Sequence, residues 1–67
     1  MKNEMTVVAA FNYIQGDFNS VWDNNGHRYF LSNGQIVKDF GNGKYIIGAK
    51  MSAFNKFYDY NPKVITK

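Results

Sequence analysis

The chain contains no cysteine. That absence excludes a disulfide framework and a thiolate metal site, and in a small domain it fits a reducing compartment better than a secreted one. Histidine, tryptophan and proline occur once each, as His27, Trp22 and Pro62. A single histidine leaves too few ligands for a zinc site, and the scattered acids lack the spacing of a calcium loop. Neither sign of charge dominates. Eight Lys and Arg against five Asp and Glu give +3, which permits contact with an anionic surface without requiring it and excludes an acidic mimic of DNA. Long apolar runs are also missing. The opening MKNEMTVVAAF carries an acid ahead of its apolar run, a pattern too short and wrongly flanked for a signal peptide, and nothing approaches a membrane span. The expected location is the cytoplasm, that of the host if the gene is phage-encoded.

What is present is compact and β-forming. With 67 residues the sequence predicts one domain, of a size that buries only about 60% of its unfolded surface, so a modest interface such as self-association would add appreciably to its stability. Asn, Lys, Phe, Tyr and Ile supply 32 of the 67 residues. All five are served by A/T-rich codons, which points to a low-G+C genome of the kind common among bacteriophages and their hosts.

Residues 23 to 50 organise the chain. Three Asn-Gly pairs, Asn25-Gly26, Asn33-Gly34 and Asn42-Gly43, separate short runs of aromatic and β-branched residues, and Asn-Gly supplies the two positive-φ residues that a type I′ hairpin turn requires. If each pair is such a turn, Leu31 faces Ile36 and Phe30 faces Val37 across the middle hairpin. The first hairpin then sets Trp22 against Tyr29, and the third sets Phe40 against Tyr45. Side chains alternate between faces with period two, so Trp22, Tyr29, Leu31, Ile36, Phe40, Tyr45, Ile47 and Ala49 would form the core face. The other face would carry a row of Asp23, Arg28 and Asp39, whose opposite charges stabilise by ~0.2–1 kcal/mol per pair, beside an apolar row of Val21, Phe30 and Val37.

Before the meander, Met5–Ile14 offers Val7, Ala9, Phe11 and Tyr13 on one alternating face, and Gln15-Gly16-Asp17 reads as a turn into the next strand. This predicts a strand. Gly48 in the last strand predicts a bulge, a bend or close approach by another backbone. After the meander, Met51, Phe54 and Tyr58 share a helical face, with Ser52 as a cap and Asn61-Pro62 as a stop, predicting a short helix over about 53–60. The tail, 61–67, either adds a final edge strand or frays. The expected fold is all-β or β-dominated, bordering on α+β: a small antiparallel five-stranded meander over 5–50, as a twisted sheet or partly closed barrel, with a short C-terminal helix, all in one domain over 1–67.

Chemistry is scarce in this pattern. His27 follows a turn glycine and has no catalytic companion in the sequence. Asp23 and Asp39 do not suit paired acid and base work, because Arg28 between them would hold both ionised. Gly41-Asn42-Gly43-Lys44 lacks the spacing and the following Ser or Thr of a phosphate loop. Neither cofactor nor metal is implied, and the expected protein is not an enzyme. Binding is what the pattern offers: a protein-binding regulator or inhibitor, phage-encoded in this reading, using Val21, Phe30, Val37, Asp23, Arg28 and Asp39 against a protein partner or a second copy of itself. The alternative is a single-stranded nucleic-acid-binding module, in which Lys44, Lys50 and Lys56 follow phosphates while Tyr45, Phe57, Tyr58 and Tyr60 stack bases.

Overall fold

The turns decide this fold, and the middle one behaves as its sequence demands. In a computed structural model, which describes residues 6–58 and the backbone of 63–65, Asn33 and Gly34 both have positive φ, 53° and 78°, as a type I′ turn requires. It joins β2 (Arg28–Ser32) to β3 (Gln35–Asp39) with the expected register, Phe30 opposite Val37 and Leu31 opposite Ile36.

The other two turns differ from expectation in instructive ways. Asp23 and His27 bracket a three-residue loop, with the Asp23 amide donating to the His27 carbonyl at 3.0 Å and the Gly26 amide donating to the Asp23 carbonyl at 3.1 Å. Gly26 alone takes positive φ in that loop, the usual form of a three-residue hairpin connection. One extra loop residue slides β1 (Ser20–Trp22) by one position, so Val21 faces Tyr29 and Trp22 faces Arg28. A slip of one exchanges the faces of a strand. The third turn centres on Gly41 and Asn42, closed by the Phe40 amide donating to the Gly43 carbonyl at 2.9 Å. Gly41 supplies positive φ at the first central position, +96°, as in a type II′ turn. The pairing of β4 (Lys44–Gly48) therefore shifts by two, Lys38 facing Tyr45 and Val37 facing Ile46, and its faces are kept. A bulge interrupts β4 where Gly48, at φ +117°, comes opposite Ile36, as the glycine predicted.

The first expected strand is a helix. Residues Val7–Ile14 form α1, capped by the Thr6 hydroxyl, which accepts from the Ala9 amide at 3.0 Å. Val7, Ala10, Phe11 and Ile14 recur at helical spacing, and all four bury against the core or pack on it. A second helix, α2 (Met51–Phe57), starts two residues earlier than expected, so Ser52 lies inside it and does not cap it. It ends at Tyr58, whose backbone is extended; the expected stop at Asn61-Pro62 lies outside the described residues. A short strand, β5 (Lys63–Ile65), pairs antiparallel with β1.

The result is a β-dominated open sheet, order β4-β3-β2-β1-β5, rather than a five-stranded meander or a partly closed barrel. The meander itself has four strands. Both helices lie on one face, where Ala10, Ile14, Phe54 and Tyr58 close on Val21, Tyr29, Ile36 and Ile47. No helix among the described residues is long and apolar enough to cross a membrane.

Candidate binding face

The sheet face away from the helices carries two rows. In the first, cross-strand pairing lines up Ser20, Phe30, Val37 and Ile46; in the second, Trp22, Arg28, Asp39 and Lys44. Neighbours directly opposite in antiparallel strands share a face, so each row runs across the meander from β1 to β4. Val37, between Phe30 and Ile46 in register, is only 6% exposed. Ile46, at the edge, is 58% exposed.

Arg28 does not join an ion-pair row. Its guanidinium lies over the Phe30 ring, 4.4 Å from the centroid, and its Nε donates to Ser20 Oγ at 2.9 Å. Asp39, opposite it in register, instead accepts from the Gly41 amide at 2.8 Å, and no ion pair links the two among the described residues. The stacked Arg28 and Phe30 form one wall of a cleft of about 230 Å³; Asp17, Phe18 and Asn19 form another. Phe18 is 76% exposed and sits at φ 60°. A bulky residue held at positive φ is uncommon, and such strain gathers where function needs a particular geometry. Asn19 braces the segment by donating from its side-chain amide to the Tyr13 carbonyl at 2.9 Å.

Asp23 has the opposite surroundings from those its sequence neighbours suggested. It is buried at the end of the sheet, on the side of the helices. Its Oδ1 accepts from the Asn25 and His27 amides, each at 2.9 Å, and its Oδ2 accepts from the Tyr29 hydroxyl at 2.8 Å. Lys38 projects from β3 into the same group, 3.6 Å from Asp23 Oδ2, and donates to the Phe57 carbonyl at 3.1 Å. The Tyr29 hydroxyl also reaches that carbonyl. This cluster ties the C-terminal end of α2 to the β1–β2 loop. His27 stands at its rim, edge-on to the Phe40 ring at 5.0 Å.

The expected interface set is therefore divided. Phe30, Val37, Arg28 and Asp39 share the outer face, whereas Val21 is in the core and Asp23 is beneath the sheet, a correction that follows from the one-residue slip of β1. Trp22 takes the outer position expected of its neighbour. The nucleic-acid set is scattered: Lys44 is on the outer face, Tyr45 is on the opposite side with its ring 5.5 Å from that of Phe57, and Tyr58 is buried. Lys50 precedes α2, Lys56 lies in its last turn, and Tyr60 lies outside the described residues. Phe18 and Ile46 were not anticipated as surface residues; a phenylalanine just after Gly16-Asp17 was the one available signal. Comparison with protein-family models, curated proteins and solved structures finds no match to this chain.

Proposed function

We propose that this is a non-catalytic binding protein that docks a protein partner on the outer face of its sheet, as a small regulator or inhibitor. The observation that carries this reading is the row of Phe30, Val37 and Ile46, on which no described helix packs and of which Ile46 is exposed and Phe30 half-buried, continuing into the cleft edged by Phe18 and Arg28. Contiguous apolar surface of this kind marks interaction sites, and aromatic and arginine side chains supply most of the binding energy at protein interfaces. The scattering of Lys44, Lys50, Lys56, Tyr45 and Tyr58 over different sides gives single-stranded nucleic acid no continuous track, so the protein reading is preferred.

The test uses immobilised protein and a nuclease-treated lysate. Wild type and Val8→Ser, altered on an exposed position of α1, should capture the same bands, and Phe18→Ser and Arg28→Ala should lose them. Bands that persist in the outer-face variants would overturn the reading, and bands removed by nuclease would favour nucleic acid.

A further inference from the structure

We propose that two copies of this chain pair antiparallel through β4, with Tyr45 opposite the partner's Tyr45 and Lys44 opposite the partner's Ile46. This rests on the sheet edge and not on the docking face. β4 ends the sheet order, and Lys44, Tyr45 and Ile46 are all exposed. The bonded pair formed by Phe40 and Gly43 at the turn sets the alternation of the β3–β4 ladder. Counting along it, Tyr45 spends its backbone groups on Lys38, whereas Lys44 and Ile46 turn theirs outward. Four backbone polar groups at this edge thus point away from the sheet, an open template for another strand.

A second β4 satisfies them in few ways. Outward-turned residues must meet outward-turned residues, which leaves pairings centred on Lys44, Tyr45 or Ile46. Centring on Lys44 sets like charges directly opposite, which destabilises. Centring on Ile46 draws the bulge at Gly48 into the ladder, where regular pairing fails. Centring on Tyr45 uses only the regular part of the strand and pairs two aromatic rings, each 49% exposed in the single chain. It also lays the Lys44 stem along the partner's Ile46 with its ammonium in water. So short a contact belongs to the weak, concentration-dependent class, and it would join the two outer faces into one sheet.

Because the chain has no cysteine, a single introduced thiol reports the register. Directly opposed, unbonded antiparallel residues have Cα atoms about 4.5 Å apart, within the roughly 4.4–6.8 Å a disulfide spans. Two residues out of register, Ile46 and the partner's Ile46 would be separated by about 8 Å. With oxidised glutathione, Tyr45→Cys should form disulfide-linked dimer roughly tenfold or more faster than Ile46→Cys or the α1 control Val8→Cys. Adding Ile46→Pro, which removes an outward N–H and spares the β3 ladder, should abolish the difference. Equal rates in the three single variants overturn the proposal. Wild-type amide exchange guards against misfolded variants: protection at Lys44 and Ile46 should rise with protein concentration while Asn42 stays unchanged. Concentration-independent exchange at both residues also overturns it.

Discussion

Asp23 shows how much one side chain can organise in so small a protein. It holds its own loop through two backbone amides and reaches Tyr29 and Lys38 across the sheet. Only 12% of the Lys38 side chain is exposed, and none of the Asp23 side chain. Removing one partner of such a buried pair leaves the other uncompensated, so Asp23→Ala should destabilise by about 3–5 kcal/mol. Tyr29→Phe keeps the ring packing against Phe54 and Tyr58 and removes only a hydroxyl, so it should cost about 1–2 kcal/mol. Urea unfolding of both variants measures the order, and equal losses would mean that the carboxylate adds nothing beyond its contact with Tyr29. Little of this was legible beforehand. The acceptor of Lys38, the Phe57 carbonyl, is 19 positions away and belongs to tertiary packing.

At the scale of elements, the count of loop residues matters more than where a turn is centred. Moving the third turn by one position shifted pairing by two and left every β4 side chain on its face, whereas one extra residue in the first loop turned β1 over. The Asn-Gly pairs were sound signals for three hairpins, yet only Asn33-Gly34 has the geometry the dipeptide favours. Asp23, whose carboxylate holds the longer loop, was the overlooked cue. The glycines separate these cases. A β-carbon on Gly34, Gly41 or Gly43 would meet open space, so any cost comes from backbone conformation alone. Gly34→Ala and Gly41→Ala, both at positive φ, should each lose about 1 kcal/mol, while Gly43→Ala should be close to neutral by thermal melting. The reverse order for Gly41 and Gly43 would restore the turn at Asn42-Gly43. For α1, eight residues with apolar positions at both two- and four-residue spacing satisfied either structure, and the cap settles it. Thr6→Ala should cost about 1 kcal/mol, an effect a strand would not show.

For the whole molecule, the consequence is a two-layer architecture in which, among the described residues, no helix packs on the second sheet face. A barrel would have enclosed Phe30, Val37 and Ile46; in the open sheet Val37 is buried, Phe30 half-buried and Ile46 exposed. A domain of this length has little stability to spare, so which face tolerates charge is a sharp test of the layering. Phe30 is half-buried and touches Arg28. At that position a carboxylate can reach water and the adjacent guanidinium, so Phe30→Glu should melt cooperatively with a loss of roughly 1–2 kcal/mol from the apolar area given up. Val21 is enclosed by the helices. A carboxylate there would have no partner and no path to solvent, a burial costly enough to exceed the stability of the fold, so Val21→Glu should show no cooperative transition. The two residues were expected on one face and are found on opposite faces, so circular dichroism melts of this pair decide the architecture directly. A folded Val21→Glu beside an unfolded Phe30→Glu would reverse the two layers, and similar behaviour in both would return them to a common face.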